Sequence, residues 1–334
     1  MRSFLVEVGY HRSLTLISFH VVRAHRDVNR SSSLAGDENR YALRRRQERA
    51  VYFSSLNLTA WRAQRYISGG RCHGHIGMTF KIGVSIYSVQ NRSIELLLEF
   101  AAINHFESVE LWSTDLTEEN ESVLKALSAN GRSLSVHGPL LNLGKSEALE
   151  TNIMALRETV DLASKHNASI LVLHTGIIDG TGPTEVAEGM KVAERALSAT
   201  IDLAREKHVL VCLENEGYHE NDLIKNFQQL LDLVKTFSSP SLGVVFDVSH
   251  ANVAGGVKNG LETMGQTIRH LHVADNLGQV KGHHMPIGQG NIDFGLVKGP
   301  LHGKEITAIL EIEPTTEWER NLIGGREILR RNWL

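Results

Sequence analysis

Cysteine is nearly absent from this chain: Cys72 and Cys212 are the two among 334 residues. That excludes a disulfide framework, fits a reducing compartment better than secretion, and leaves no thiolate set to hold a structural zinc. Long apolar runs are missing as well. None approaches the ~20 residues needed to span a bilayer, so no membrane partner is expected and the chain reads as cytoplasmic. No Gly-x-Gly-x-x-Gly turn follows the first convincing strand, which argues against a dinucleotide-binding fold. After Met78 there is no low-complexity tract.

Lysine is absent from residues 1–77, where thirteen arginines face five acidic residues, a balance of +8. The remaining 257 residues carry twenty-two basic and thirty-three acidic groups, a balance of −11. The first segment shows no sustained periodicity, and Arg44-Arg45-Arg46 sits in an Arg- and Ser-rich context. Transit peptides share that composition but avoid acids; a basic nucleic-acid arm is a second reading. The reading adopted is a poorly structured extension over 1–77, with Met78 a candidate for the true start. The acidic body suits small neutral or singly charged substrates rather than a polyanion gripped through its phosphates, so no nucleic acid is expected.

What the body does contain is alternation. Hydrophobic residues make up 42% of the chain, enough for a substantial core. Short β-prone runs at Phe80–Val84, Ser108–Leu111, Leu134–His137, Ile170–His174, Val209–Glu214, Gly243–Asp247, Ile268–Val273 and Ile306–Glu311 alternate with helical patterns. The helices are expected at Ser93–Asn104, from Thr117, over Ser146–His166, from Pro183, and at Leu223–Phe237, Leu261–Thr267, Phe294–Leu301 and Asn321–Arg331. Strands apolar on both faces and separated by helices form a parallel sheet covered by helices. Eight such units over 78–334 predict an α/β fold, a single-domain (β/α)8 TIM barrel.

Nearly every run stops at a histidine or a carboxylate. In a barrel all strand C-termini open on one face, so Glu110, His137, His174, Glu214, Asp247 with His250, His272 with Asp275, His284 and Glu311 converge. A lone strand-end His or Glu is commonly just a hydrogen-bonded loop residue; six successive ones make a constellation. Carboxylates with imidazoles suit a divalent Mn, Mg, Co or Zn, and a dication removes the repulsion among crowded carboxylates. Glu313 competes with Glu311, His270 and His283 read as ordinary, Glu110 is divided between pocket and structure, and Cys212 reads as a small buried hydrophobe.

The motifs V-H-G-P-L-L-N-L (136–143), L-V-L-H-T-G (171–176), L-E-N-E-G (213–217), F-D-V-S-H-A-N (246–252), H-L-H-V-A-D-N (270–276), H-M-P-I-G-Q-G-N-I-D-F (284–294) and I-L-E-I (309–312) together resemble the xylose isomerase-like TIM barrel superfamily. Its members include sugar-phosphate isomerases and epimerases, a cyclitol dehydratase and the endonuclease IV class. The resemblance implies one divalent metal on Glu214, Asp247, His272 and Glu311. Glu214 and Glu311 would move protons to and from a sugar, polyol or sugar phosphate through an enediolate, and His250, His284, His137, His174 and Glu110 would face substrate. A second metal at His137, His174 and Glu214 is compatible with it, as is a homo-oligomer. The alternatives are a keto-sugar or cyclitol dehydratase and an endonuclease IV-like enzyme acting at abasic sites. The endonuclease pattern expects an Asp where this chain has Gly282, so a third metal there would keep only His250 and His284.

Overall fold

The computed structural model describes residues 79–129, 131–279 and 284–333. The extension 1–77, Met78 and Gly282 lie outside the described residues. The apolar runs form eight strands: β1 (Thr79–Ser85), β2 (Ser108–Trp112), β3 (Ser133–His137), β4 (Ile170–Leu173), β5 (Leu210–Glu214), β6 (Leu242–Asp247), β7 (Ile268–Val273) and β8 (Glu305–Leu310). Each pairs in parallel with the next, and β8 pairs with β1 to close the barrel. The described helices outside it are α1 (Ile94–Ile103), α2 (Glu121–Ala129), α3 (Leu149–Lys165), α4 (Pro183–Glu206), α5 (Phe227–Phe237), α6 (Val248–Ala254), α7 (Val257–Met264) and α8 (Trp318–Trp333).

Two apolar layers follow from the strand pleat, which turns alternate residues inward and outward. Outward residues such as Val211, Leu213 and Leu271 pack against helix residues such as Leu156, Leu197 and Leu230, all fully buried. Inside, Val172, Cys212 and Val245 form a separate buried cluster. Cys212 is therefore part of the barrel filling, and burial pushes its thiol up to about 12. Glu214 and Asp247 come two residues after Cys212 and Val245 and share their inward direction, so this cluster is the floor beneath them.

A one-residue slip sets the level of β7. Val244 pairs with Ile268, but Val245 pairs with His270, which leaves Arg269 as the extra residue. Without that bulge Asp247 would sit beside Leu271; with it Asp247 pairs with His272 and both point inward.

The helical segments depart from the sequence reading in several places, and the helix expected from Thr117 starts only at Glu121. The helix expected from Leu223 starts at Phe227, because Asn226 caps it by accepting from the N–H of Gln229. Between β6 and β7 two helices stand where one was expected at Leu261–Thr267. Gly255 and Gly256, at φ 154° and 94°, separate them. The stretch expected to be helical over Phe294–Leu301 is a single 3-10 turn, Phe294–Val297.

Candidate metal centre

The C-terminal mouth of the barrel gathers the chosen residues as the strand ends predict. His137, Glu214 and Asp247 are the last residues of β3, β5 and β6; His272 lies in β7; His174 and Glu311 follow β4 and β8 by one residue. Asp247 also begins α6. Its Oδ1 accepts from the N–H of His250 (2.7 Å) and the hydroxyl of Ser249 (2.7 Å), which caps the helix and leaves Oδ2 to the site.

Glu214 is the hub. One of its oxygens lies 3.3 Å from His272 Nδ1 and 3.3 Å from His250 Nδ1. The other is 3.2 Å from His174 Nε2 and 3.9 Å from His137 Nε2. Glu311 approaches the same His272 Nδ1 at 2.8 Å. Among the described residues, both Glu214 oxygens, Asp247 Oδ2 and His272 Nδ1 are buried yet make no hydrogen bond. Buried polar atoms are nearly always hydrogen-bonded. Four convergent orphans of ligand type fit a cation, and Glu214, Asp247, His272 and Glu311 offer ligand atoms close enough together to share one ion.

Two further groups adjoin it: His137, His174 and Glu214 on one side, Asp247, His250 and His284 on the other. His250 Nε2 stands 3.2 Å from His284 Nε2, and His284 Nδ1 contacts the carbonyl of Glu311 at 2.7 Å. The ionisation pattern shows how the cluster balances its charge. Burial works against ionised Glu214, yet His272 and His174 hold its carboxyl well below the usual carboxylate range. Glu311, also opposed by burial, is brought down to about 2 by His272 and His284. Burial disfavours charged imidazoles too, but Glu110, Glu214 and Glu311 raise His272, and Asp247 and Glu214 raise His250 to about 9. His137 goes the other way, lowered by burial and by His174.

Glu110 lies deeper. It has no exposed surface, and its carboxylate is held within the barrel by the hydroxyl of Ser135 (2.8 Å) and by His270 Nε2 (3.1 Å). Its other oxygen is 3.0 Å from His272 Nε2, close but off the line of a hydrogen bond. His270, which sequence reading passes over as ordinary, thus belongs to the layer directly beneath the centre. Asp275 is spent on backbone: it accepts from the N–H groups of Asn276, Gly288 and Gly290 at 2.9 Å and of Ile292 at 3.2 Å. Glu216 is a residue the sequence reading missed. It binds His174 Nδ1 at 3.1 Å while its other oxygen accepts from Thr175 and Gly176. Its signal was its place two residues beyond Glu214, on the same side of the chain.

The profile of the xylose isomerase-like TIM barrel family matches residues 98–332, and the closed eight-stranded barrel agrees with it. The chain belongs to that xylose isomerase-like TIM barrel family. Within this family an uncharacterised protein of Methanocaldococcus jannaschii is 26% identical, over 76% of this chain and 89% of its own length. A probable endonuclease 4 of Pediococcus pentosaceus is 30% identical, over 48% of this chain and 58% of its own length. The solved structure of a D-tagatose 3-epimerase-like protein superposes with a TM-score of 0.66 at 25% identity, covering 75% of this chain and 96% of that one. Solved structures of a D-psicose 3-epimerase and an L-ribulose 3-epimerase share the barrel fold at 16% and 15% identity, with TM-scores of 0.64 and 0.63.

Proposed function

We propose that this barrel is a divalent-metal-dependent epimerase or isomerase of a sugar or polyol. The observation that carries the reading is the pair of buried carboxylates, Glu214 and Glu311, meeting at His272 Nδ1 beside Asp247. Glu214, Asp247, His272 and Glu311 would hold the ion, which when bound supplies the Lewis acidity that makes a C–H next to a carbonyl acidic. Glu214 would take that proton and Glu311 return one, or the reverse. His250 and His284 would orient substrate hydroxyls from one side, His137 and His174 from the other. The likeness to a D-tagatose 3-epimerase-like protein supports this class of substrate.

Glu110 fits the same reading as a positioning residue rather than a substrate contact. A carboxylate next to His272 Nε2 favours the tautomer protonated there and turns the Nδ1 lone pair towards the acidic cluster. Replacing Glu110 by Gln is expected to weaken Mn binding roughly 10- to 100-fold. Calorimetric titration of metal-free protein measures it, and unchanged affinity would show that Glu110 merely fills the barrel.

The second reading, incision of DNA at abasic sites, draws on the two flanking groups of possible ligands and on the endonuclease 4 relatives. Metal content separates the readings. One equivalent, with chelator-sensitive exchange of solvent deuterium into a ketohexose, is expected for the epimerase. Three equivalents, with chelator-sensitive cleavage of an abasic duplex and no exchange, would replace it by the endonuclease.

A further inference from the structure

Tyr218 is fixed over the barrel mouth by a loop that is held more firmly than a connector requires. The loop after β5 folds back on Asp222, a buried carboxylate whose Oδ2 accepts from the N–H groups of Gly217 (3.1 Å) and His219 (2.8 Å). Those two donors flank Tyr218 in the chain. The same loop is laced to the loop after β4: the N–H of Ile178 donates to the carbonyl of Asn221 and the N–H of Leu223 to that of Gly176, each at 2.9 Å. Gly217 makes the entry possible, at φ 93° and with the carbonyl of Lys225 only 3.0 Å from where a Cβ would stand. A buried carboxylate that ties down the backbone on both sides of one residue, through charge-assisted bonds, sets the direction of the side chain between them.

That direction is towards the centre. The ring of Tyr218 packs against the imidazole of His250 at 4.9 Å and is half-buried, so it forms part of the wall of the mouth. His137 and His284 also have a ring beside them, Trp112 at 4.4 Å and Tyr87 at 5.7 Å, but the indole N–H of Trp112 is buried. Burial and the charges of Glu216, Glu214, Asp247 and Asp222 raise the pKa of the Tyr218 hydroxyl. Four carboxylates therefore reach this one phenol, and it keeps its proton and stays a hydrogen-bond donor throughout the neutral range.

A neutral donor on a rigid ring suits the reading of a single hydroxyl: a site built to bond that oxygen accepts the substrate that has it and rejects the analogue that lacks it. The ring lies against His250, beside the group Glu214, Asp247, His272 and Glu311 rather than within it, so its partner is an oxygen other than those the ion would hold. We propose that Tyr218 is a specificity-determining residue, whose hydroxyl donates to a substrate hydroxyl away from the reacting carbons, on the flank where the rings of His174 and His250 stand 6.5 Å apart. This deepens the sugar reading above and rests on it.

The test uses Mn-loaded wild type and Tyr218→Phe, which keeps the ring against His250, with D-fructose and its 1-, 4-, 5- and 6-deoxy derivatives. Calorimetric titration is expected to show D-fructose bound about tenfold more weakly by Tyr218→Phe, the scale of one hydrogen bond to a group left without its partner, with Mn affinity unchanged. One deoxy derivative should be bound equally by the two proteins, because the hydroxyl that Tyr218 reads is already gone from it. In the exchange of solvent deuterium into D-fructose the loss should fall on KM rather than kcat. A ketose affinity that survives Tyr218→Phe, or a loss shared equally by all four derivatives, overturns the assignment; a fall in Mn affinity does so too, since it marks a structural prop of the centre. Deuterium exchange reports on the epimerase reading separately. Exchange with unchanged KM in Tyr218→Phe removes Tyr218 and spares that reading, whereas a wild type that neither binds nor exchanges D-fructose removes both.

Discussion

Glu214→Gln is expected to lower solvent-deuterium exchange into a ketose by roughly 10³-fold or more, the scale of a lost general base in an electrostatically organised site. Its carboxylate reaches four imidazoles of the centre: His137, His174, His250 and His272 all lie within 3.9 Å of it. An amide of the same shape cannot accept a proton at neutral pH. It also presents an N–H donor where the carboxylate offers only acceptors to the ring nitrogens around it. Glu311→Gln should share the loss of exchange, since that residue is the other partner of His272 Nδ1. Far-ultraviolet circular dichroism should remain that of the parent barrel, because the apolar floor under Glu214 is untouched. Full turnover in either variant would refute the proton-transfer roles.

Asp275→Ala is expected to destabilise the fold by about 3–5 kcal/mol, the cost of leaving several buried donors without their charged acceptor. One carboxylate ties residue 276 to residues 288–292 of the loop after β7 by accepting from the backbone N–H groups of Asn276, Gly288, Gly290 and Ile292. The fit there is tight: a Cβ on Gly290 would come within 2.2 Å of Asp275 Oδ1 and 2.3 Å of the carbonyl of Asn276. Asp275→Asn should lose less, because one acceptor oxygen remains. Urea denaturation measures both, and a shift below about 1 kcal/mol for the alanine variant, within the range of an ordinary surface change, would show that water replaces the carboxylate freely. His284 sits in the same loop, so hydrogen exchange over 284–292 should rise together with the loss of stability.

The barrel was legible because most strands write their own boundary: an apolar run that ends at a charged or imidazole side chain. The convergence of Glu214, Asp247 and Glu311 follows from topology once the strands are parallel, whereas the level of His272 also needs the bulge at Arg269, which the sequence does not announce. Contacts made across the barrel interior were not legible. Nothing near Glu110 in the chain announces that His270, far along the sequence, will hold it, and Asp275 reads like a ligand until the loop closes on it. The helix misplaced between β6 and β7 failed for a local reason, since the run F-D-V-S-H-A-N serves as strand, cap and first helical turn at once.

The seam where β1 meets β8 has a consequence for how the chain is made. Six residues of β1, from Thr79 to Val84, are paired along that seam with Glu305 to Leu310, near the opposite end of the polypeptide. During synthesis one edge of β1 must wait unpaired while more than two hundred residues emerge, and open strand edges in partly made chains invite wrong partners. Glu311 emerges immediately after that seam. With Glu311 as a ligand, as proposed, a nascent chain or one truncated before β8 would lack part of the set, and full metal occupancy would certify that the ribosome had reached the last strand.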